Sequence, residues 1–284
     1  MKQRREKSMK IMNMHIPSHI IMIAWSIIVF VPVFLLIVNS FKTTRELFDN
    51  LFSLPKTLNL DNYRSVMSDG NFFVYFRNSI VVVTLSLFGI LFLGSLASFA
   101  LAHWTRSKLS NGIYFLFIIG MMLPIKIASI RLLEIMKSLG VLGKLTSLFP
   151  VYIAMGLPIA IFVLTEFIRS LPIDLYEAAY MDGAVRTRIY ATIVLPLIKP
   201  ALATVAIYNL VPIWNDLWFP LIFIGRAEGQ QTILLAVTDL QGQYTTQWTK
   251  VFALLTLSAL PVLTLYLLMS KQFVKGLTAG AVKG

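Results

Sequence analysis

Six apolar runs, most of them about twenty residues long, decide what this chain can fold into. A helix needs about that length to cross a hydrocarbon core of roughly 30 Å. None of the runs alternates in the way that a membrane barrel strand requires. The fold class is therefore an all-α integral membrane protein with six transmembrane helices. Composition agrees: 57% of the 284 residues are hydrophobic and only 13% are charged. A soluble chain of this length would need far more polar surface.

The spans and the segments between them follow from the same reading. Residues 1–17 form a basic arm with Lys2, Arg4, Arg5, Lys7 and Lys10, and span 1 occupies 18–39. That apolar run is too long for the core of a signal peptide, and no small-residue cleavage pattern follows it. An amphipathic segment, 40–76, places Phe48, Leu51, Phe52 and Leu54 along a membrane interface. The remainder, 77–284, holds the other spans. Span 2 covers about 78–102, with small residues (Gly89, Gly94, Ser95, Ala97, Ser98) suited to close helix packing. Span 3 starts near Asn111, meets Pro124, and carries Lys126, Arg131, Glu134 and Lys137 before the Gly140–Gly143 turn. Arg131 can pair with Glu134 one turn on. Span 4 runs over about 148–167, span 5 opens at Pro200 and reaches about Leu221, and span 6 runs over about 249–269, broken by Pro261. A short basic tail, 270–284, follows.

Six crossings put both termini on one side, with the Arg106 loop and the 174–196 interlude. About 14 of the 25 Lys and Arg residues fall there, against about 11 opposite. Basic residues favour the cytoplasmic side, and the five ahead of span 1 carry the most weight. Both termini are therefore expected in the cytoplasm. In a membrane chain the net charge of +12 reads as topology, and no nucleic acid is implied. The chain has no cysteine, so disulfides and thiol chemistry are excluded.

The interlude between spans 4 and 5 is the longest polar stretch in the second half. Asp174 with Glu177 three residues on has the form of a capping box. Gly183 stands where a left-handed residue would close the helix. Arg186 to Leu195 would then be a second helical piece, stopped by Pro196.

The spacing here resembles the cytoplasmic loop of the membrane subunits of bacterial ABC importers. Glu177-Ala178-Ala179 is followed after two residues by Asp182-Gly183-Ala184, and after eight more by Ile193-Val194-Leu195-Pro196. The run Ile213-Trp214-Asn215-Asp216-Leu217-Trp218 and the ending from Gly276 to Gly284 are similar to the maltose-type carbohydrate branch. The resemblance implies a type I ABC importer permease with six helices in the bacterial inner membrane. It implies partners as well: a homologous second permease, two ATPase subunits that hold ATP and Mg, and an extracytoplasmic solute-binding protein. Glu177, Ala178, Ala179, Asp182, Gly183, Ala184, Ile193, Leu195 and Pro196 would form the coupling element. Thr278, Gly280, Lys283 and Gly284 would make a tail contact with the ATPase.

Chemistry of the chain's own is not evident. There is no G-x-x-x-x-G-K-[ST] loop to bind ATP, so hydrolysis falls to a partner. His15, His19 and His103 form no metal-ligand pattern. Glu166 and Asp216 have no evident partner at helical spacing. Candidates for a sugar or oligosaccharide pathway are Asn209, Trp214, Asn215 and Asp216, whose amides and ring suit hydroxyls and sugar faces. Lys126 and Arg131 would bear on an acidic sugar. The competing readings are a permease for a non-sugar solute, interfacial and interhelical roles for the same residues, and a self-powered secondary transporter or channel.

Overall fold

The computed structural model describes residues 2–68, 71–103, 107–241 and 246–281, and within these the side chains of 18–265 and 267. Among the described residues the chain is almost entirely helical, and the only extended pairing is an isolated bridge, Gln241 with Thr246. In chain order the helices are α1 Lys2–Ser40, α2 Thr44–Asp49, α3 Asp61–Ser68, α4 Phe72–His103, α5 Lys108–Met122 and α6 Ser129–Ser138. They continue with α7 Leu148–Arg169, α8 Asp174–Met181, α9 Arg186–Ile189, α10 Leu195–Leu197, α11 Lys199–Trp214, α12 Trp218–Phe223, α13 Ile233–Ala236 and α14 Trp248–Ala281.

Four stretches are long and apolar enough to cross a bilayer unaided: Ser18–Ser40, Phe72–His103, Leu145–Arg169 and Trp248–Leu265. Two further candidates are bent pairs, Lys108–Met122 with Ile125–Ser138 at 84° and Arg186–Leu197 with Lys199–Trp214 at 71°, which bring the number to six if each pair is one span. Span 3 is therefore bent within its run, and the second pair sets the expected Arg186–Leu195 piece at an angle to the helix of span 5. In span 3 the cause is Pro124. It forces Leu123 out of the helical region, to φ −85° and ψ 121°, and the chain resumes in a new direction. In span 5 the bend at Ile198 lies between Pro196 and Pro200, each of which lacks an N–H for the ladder. The span ends at Trp214 instead of reaching Leu221. Pro261, by contrast, lies inside an unbroken α14, which carries the expected tail on as helix to Ala281. Thr278 and Gly280 fall in that helix with side chains outside the description, and Lys283 and Gly284 lie outside the described residues.

The chain divides into two compact units. One comprises residues up to 69 together with 240–257. In it, Asn62 Nδ2 donates to the carbonyls of Ser40 and Lys42, and the Tyr63 hydroxyl bonds Ser40 Oγ. Lys42 is fully buried and donates to the carbonyls of Asn50 (2.9 Å) and Leu51 (3.2 Å). Burial holds its pKa below the ordinary value, partly offset by the charge of Glu46. Phe48 and Phe52 are exposed.

The second unit, 70–239 with 258 onward, is built on α4 against α7. Their backbones approach closely because Gly94 faces Ala160: a Cβ at position 94 would lie 2.9 Å from the Ala160 Cβ. Ile90, Ala160 and Leu164 fill the seam with no exposed surface. In a bilayer, where lipid is as apolar as leucine, such close packing is a main source of helix association. At one end of α4, Asn78 Nδ2 donates to the carbonyls of Gly229 and Gln231, and Ser79 Oγ accepts from the Ile233 N–H. These bonds pin the loop before α13 onto the helix.

Candidate functional sites

The polar interlude folds into the helix–turn–helix piece that its sequence suggested, with two changes. Ile173 already has helical torsions, φ −63° and ψ −31°, so Asp174 lies inside α8 instead of capping it. The Tyr176 and Glu177 N–H groups donate to the Ile173 carbonyl, and the capping box does not form. Asp174 and Glu177 act instead as charges in the first turn, where the helix dipole favours carboxylates. The exit from α8 is as expected. Gly183 adopts φ +74°, its N–H donates to the Tyr180 carbonyl, and the Ala184 N–H reaches back to Ala179 at 2.9 Å. This double closure fixes the length and end of α8.

The second piece is not one helix stopped by Pro196. Tyr190–Val194 forms a π-helical turn, and the chain continues through Pro196 to Leu197. The wider turn relaxes the ladder next to a residue that cannot donate to it. Glu177, Ala178, Asp182, Gly183 and Pro196 are exposed, whereas Ala179 is buried and Ala184, Ile193 and Leu195 are half-buried. One face of the piece is thus anchored and the other is open.

Sequence reading missed what anchors it. Ser95, Phe99 and His103 recur every four residues and share one face of α4. The Tyr190 hydroxyl bonds Ser95 Oγ at 2.7 Å, the Tyr190 ring packs on Phe99, and the Tyr180 hydroxyl bonds His103 Nε2 at 3.1 Å. Beside them lies a cleft of about 450 Å3 lined by Phe99, His103, Arg169, Tyr176, Glu177 and Tyr180. Burial, and then the neighbouring Tyr180, raise the Tyr176 pKa. The available signal was the three tyrosines at 176, 180 and 190 in a segment otherwise read only for caps. Glu166 has partners too, one of them at helical spacing: Arg169 at 2.9 Å and the Tyr114 hydroxyl at 2.8 Å, with the guanidinium over the Tyr114 ring.

A second cleft, of about 460 Å3, opens where the two interrupted stretches lie, after α5 and after α11. It gathers four of the six pathway candidates, Lys126, Asn209, Asn215 and Asp216, with Tyr152, Tyr208 and Met121. Irregular backbone at membrane depth is tolerated where it lines such a cavity or is buried in protein. Asp216 starts α12: its Oδ1 accepts from the Trp218 N–H and its Oδ2 from the Phe219 N–H. The buried Tyr152 donates its hydroxyl to Oδ2 at 2.9 Å. Asn209 is buried and donates to the Val205 carbonyl one turn back. Trp214 is not part of the cleft lining. It is buried, its indole N–H donates to the Ser258 carbonyl, and its ring meets Phe76 edge-on. Arg131 is also outside the lining: it is exposed and pairs with Glu134 at 2.7 Å, as its spacing suggested. No group of three or more His, Asp or Glu side chains that could hold a metal occurs among the described residues.

A helical multi-pass chain with broken crossings around a polar cleft, and an open capped helix between two crossings, has the build of a membrane transport subunit. The chain belongs to the family of binding-protein-dependent transport system inner membrane components, whose model matches residues 90–278. It is 37% identical over 266 residues to the putative ABC transporter permease protein ORF2 of Caldicellulosiruptor sp. (strain Rt8B.4), covering 93% of this chain and 96% of that one. It is 35% identical to the probable starch degradation products transport system permease protein AmyC of Thermoanaerobacterium thermosulfurigenes, covering 89% and 91%. Its fold matches a chain from the crystal structure of a bacterial ABC transporter involved in the import of the acidic polysaccharide alginate. That match has a TM-score of 0.78 and 20% identity, and covers 91% of this chain and 95% of that one.

Proposed function

We propose that this chain forms half of the passage of an ATP-driven importer for a sugar or oligosaccharide, and that α8 is the part through which a separate ATPase drives it. The observation that carries the reading is the form of α8. It is an eight-residue helix closed by a left-handed glycine, open on its Glu177–Ala178 face and tied to α4 on the other. A helix held in this way transmits a displacement, whereas a loose loop would absorb it.

In this reading the α8 side, the basic arm and the C-terminal tail face the cytoplasm, and residues from Thr278 onward add a second ATPase contact. ATP and Mg are held by two ATPase subunits. A homologous permease supplies the other half of the passage, and an extracytoplasmic binding protein delivers the substrate. The sugar class is supported by the relative whose name specifies starch degradation products. Lys126, Asn209, Asn215 and Asp216 line this chain's share of the passage, in the cleft of about 460 Å3.

The test is ATP-dependent uptake of oligosaccharides by the complete transporter in proteoliposomes, comparing wild type with Glu177→Lys. The expected result is normal membrane insertion with uptake per ATP hydrolysed reduced at least severalfold. Uptake driven by an ion gradient with no ATPase present would refute the reading.

A further inference from the structure

The cation in the cleft lining is Lys126. Lys126 stands directly after the break at Pro124, and its ammonium lies 5.8 Å from the centroid of the Trp218 ring, across the cleft's other break. Ser129 locks this arrangement. Its hydroxyl donates to the Lys126 carbonyl at 2.6 Å and accepts from the Trp218 indole N–H at 2.9 Å. One side chain thereby ties the lysine backbone to the ring beneath the lysine head group, so the ammonium is presented from a fixed base.

The carboxylate of the cleft does not answer that charge. Asp216 turns its oxygens to Tyr152, Trp218 N–H and Phe219 N–H, and no Lys126–Asp216 ion pair occurs among the described residues. Among the described residues the Lys126 ammonium has no hydrogen-bond acceptor, and its contact is the Trp218 ring. An ionisable group inside a membrane protein that is unpaired and faces a cavity marks a path for a ligand. Bonds from an ammonium to a carboxylate are roughly twice as strong as bonds between neutral partners. The remaining polar groups, Asn209, Asn215 and Tyr208, match the hydroxyls and ring oxygens of a saccharide.

We propose that Lys126, held by Ser129 against Trp218, is an anion-recognising subsite in the cleft, and that the substrate is an oligosaccharide bearing carboxylates, a uronate. The proposal rests on the passage reading above, and its test does not depend on ATP-driven uptake. The complete transporter is solubilised in detergent without its binding protein. It is titrated with two tetrasaccharides, neutral maltotetraose and tetragalacturonate, while calorimetry and tryptophan fluorescence are followed. Trp218 under the ammonium serves as the reporter.

The expected result is that the uronate binds more tightly than the neutral sugar. Lys126→Gln lowers the ratio of uronate to neutral affinity at least about tenfold, and Lys126→Arg restores most of that ratio. Equal or tighter binding of maltotetraose by wild type overturns the acidic class. Uronate binding unchanged in Lys126→Gln overturns the subsite. A loss of both sugars in Lys126→Gln, with the melting temperature lowered, shows a structural lysine and also overturns it. Any of these can occur while ATP-driven uptake of some oligosaccharide persists, so the broader reading stands or falls separately.

Discussion

Gly156 is the place where the bundle tolerates least, and replacing it by alanine measures how tightly three helices meet. A Cβ on Gly156 of α7 would lie 2.3 Å from Ile90 Cδ1 on α4 and 2.7 Å from Asn209 Oδ1 on α11. Ordinary contact begins near 3.4 Å, so the new methyl is about 1.1 Å too close on one side and about 0.7 Å on the other. Neither neighbour has an easy retreat. Ile90 is fully buried, and Asn209 is held by its bond to the Val205 carbonyl. Overpacking of this kind costs about 1–3 kcal/mol. Alanine also gains about 1 kcal/mol over glycine in a helix, which masks part of that cost. Gly112→Ala in α5 isolates the gain, because nothing lies within 4 Å of its Cβ. At roughly 2–4 °C per kcal/mol for a chain of this size, Gly156→Ala should melt roughly 2–12 °C below Gly112→Ala. The assay is thermal unfolding of the detergent-solubilised protein followed by size-exclusion chromatography. Ile90→Val in the Gly156→Ala background removes the nearest methyl but leaves Cγ1 at 2.8 Å, so it should restore part of the loss. Equal melting of the two alanine variants would refute the close three-helix crossing.

Other consequences are more local. Gly183→Ala forces a Cβ into a left-handed conformation, at about 1–2 kcal/mol, and should fray the end of α8 and lower uptake per ATP without lowering the amount of protein in the membrane. Tyr152→Phe removes a donor from the buried side of Asp216; thermal unfolding should show a loss of about 1–3 kcal/mol, and a neutral result would mean that the bond carries nothing. Tyr180→Phe combined with Tyr190→Phe cuts both bonds from the interlude to α4, and transport assays should show ATPase activity retained while uptake falls. For Lys42 the sign follows from burial. The folded pKa lies below the ordinary 10.5, so between the two values the unfolded chain holds more protons and stability rises with pH. Lys42→Met should flatten that part of the pH–stability profile.

Much of the architecture was legible because a membrane imposes few and strong rules. The length of apolar runs set the class and the approximate places of the candidate spans, and the pattern from Asp174 to Gly183 placed a short helix and its turn. Gly183 was readable as a left-handed terminus because little else explains a glycine after a short amphipathic helix. Arg131 with Glu134 was readable because three-residue spacing puts both on one helix face. What hydropathy could not supply was continuity. Pro124 breaks its span, Pro261 does not, and Pro196 follows a π-helical turn and starts a further short helical piece, although all three are prolines in apolar surroundings. The difference lies in local backbone geometry and in neighbouring groups.

The sequence by itself determined a helical membrane chain, a capped polar piece between its fourth and fifth crossings, and the absence of an ATP-binding loop of its own. Only the tertiary structure decided which polar residues act together. Trp214 and Asp216 are two positions apart, yet one is packed against Phe76 and bonded to Ser258 while the other lines a cleft. Lys126 meets Trp218 across more than ninety residues, and Ser95 meets Tyr190 across a similar distance. Local propensity and spacing reach only a few turns along one helix. Pairings between helices depend on how the backbones cross, and that is set by the sum of close contacts such as Gly94 on Ala160.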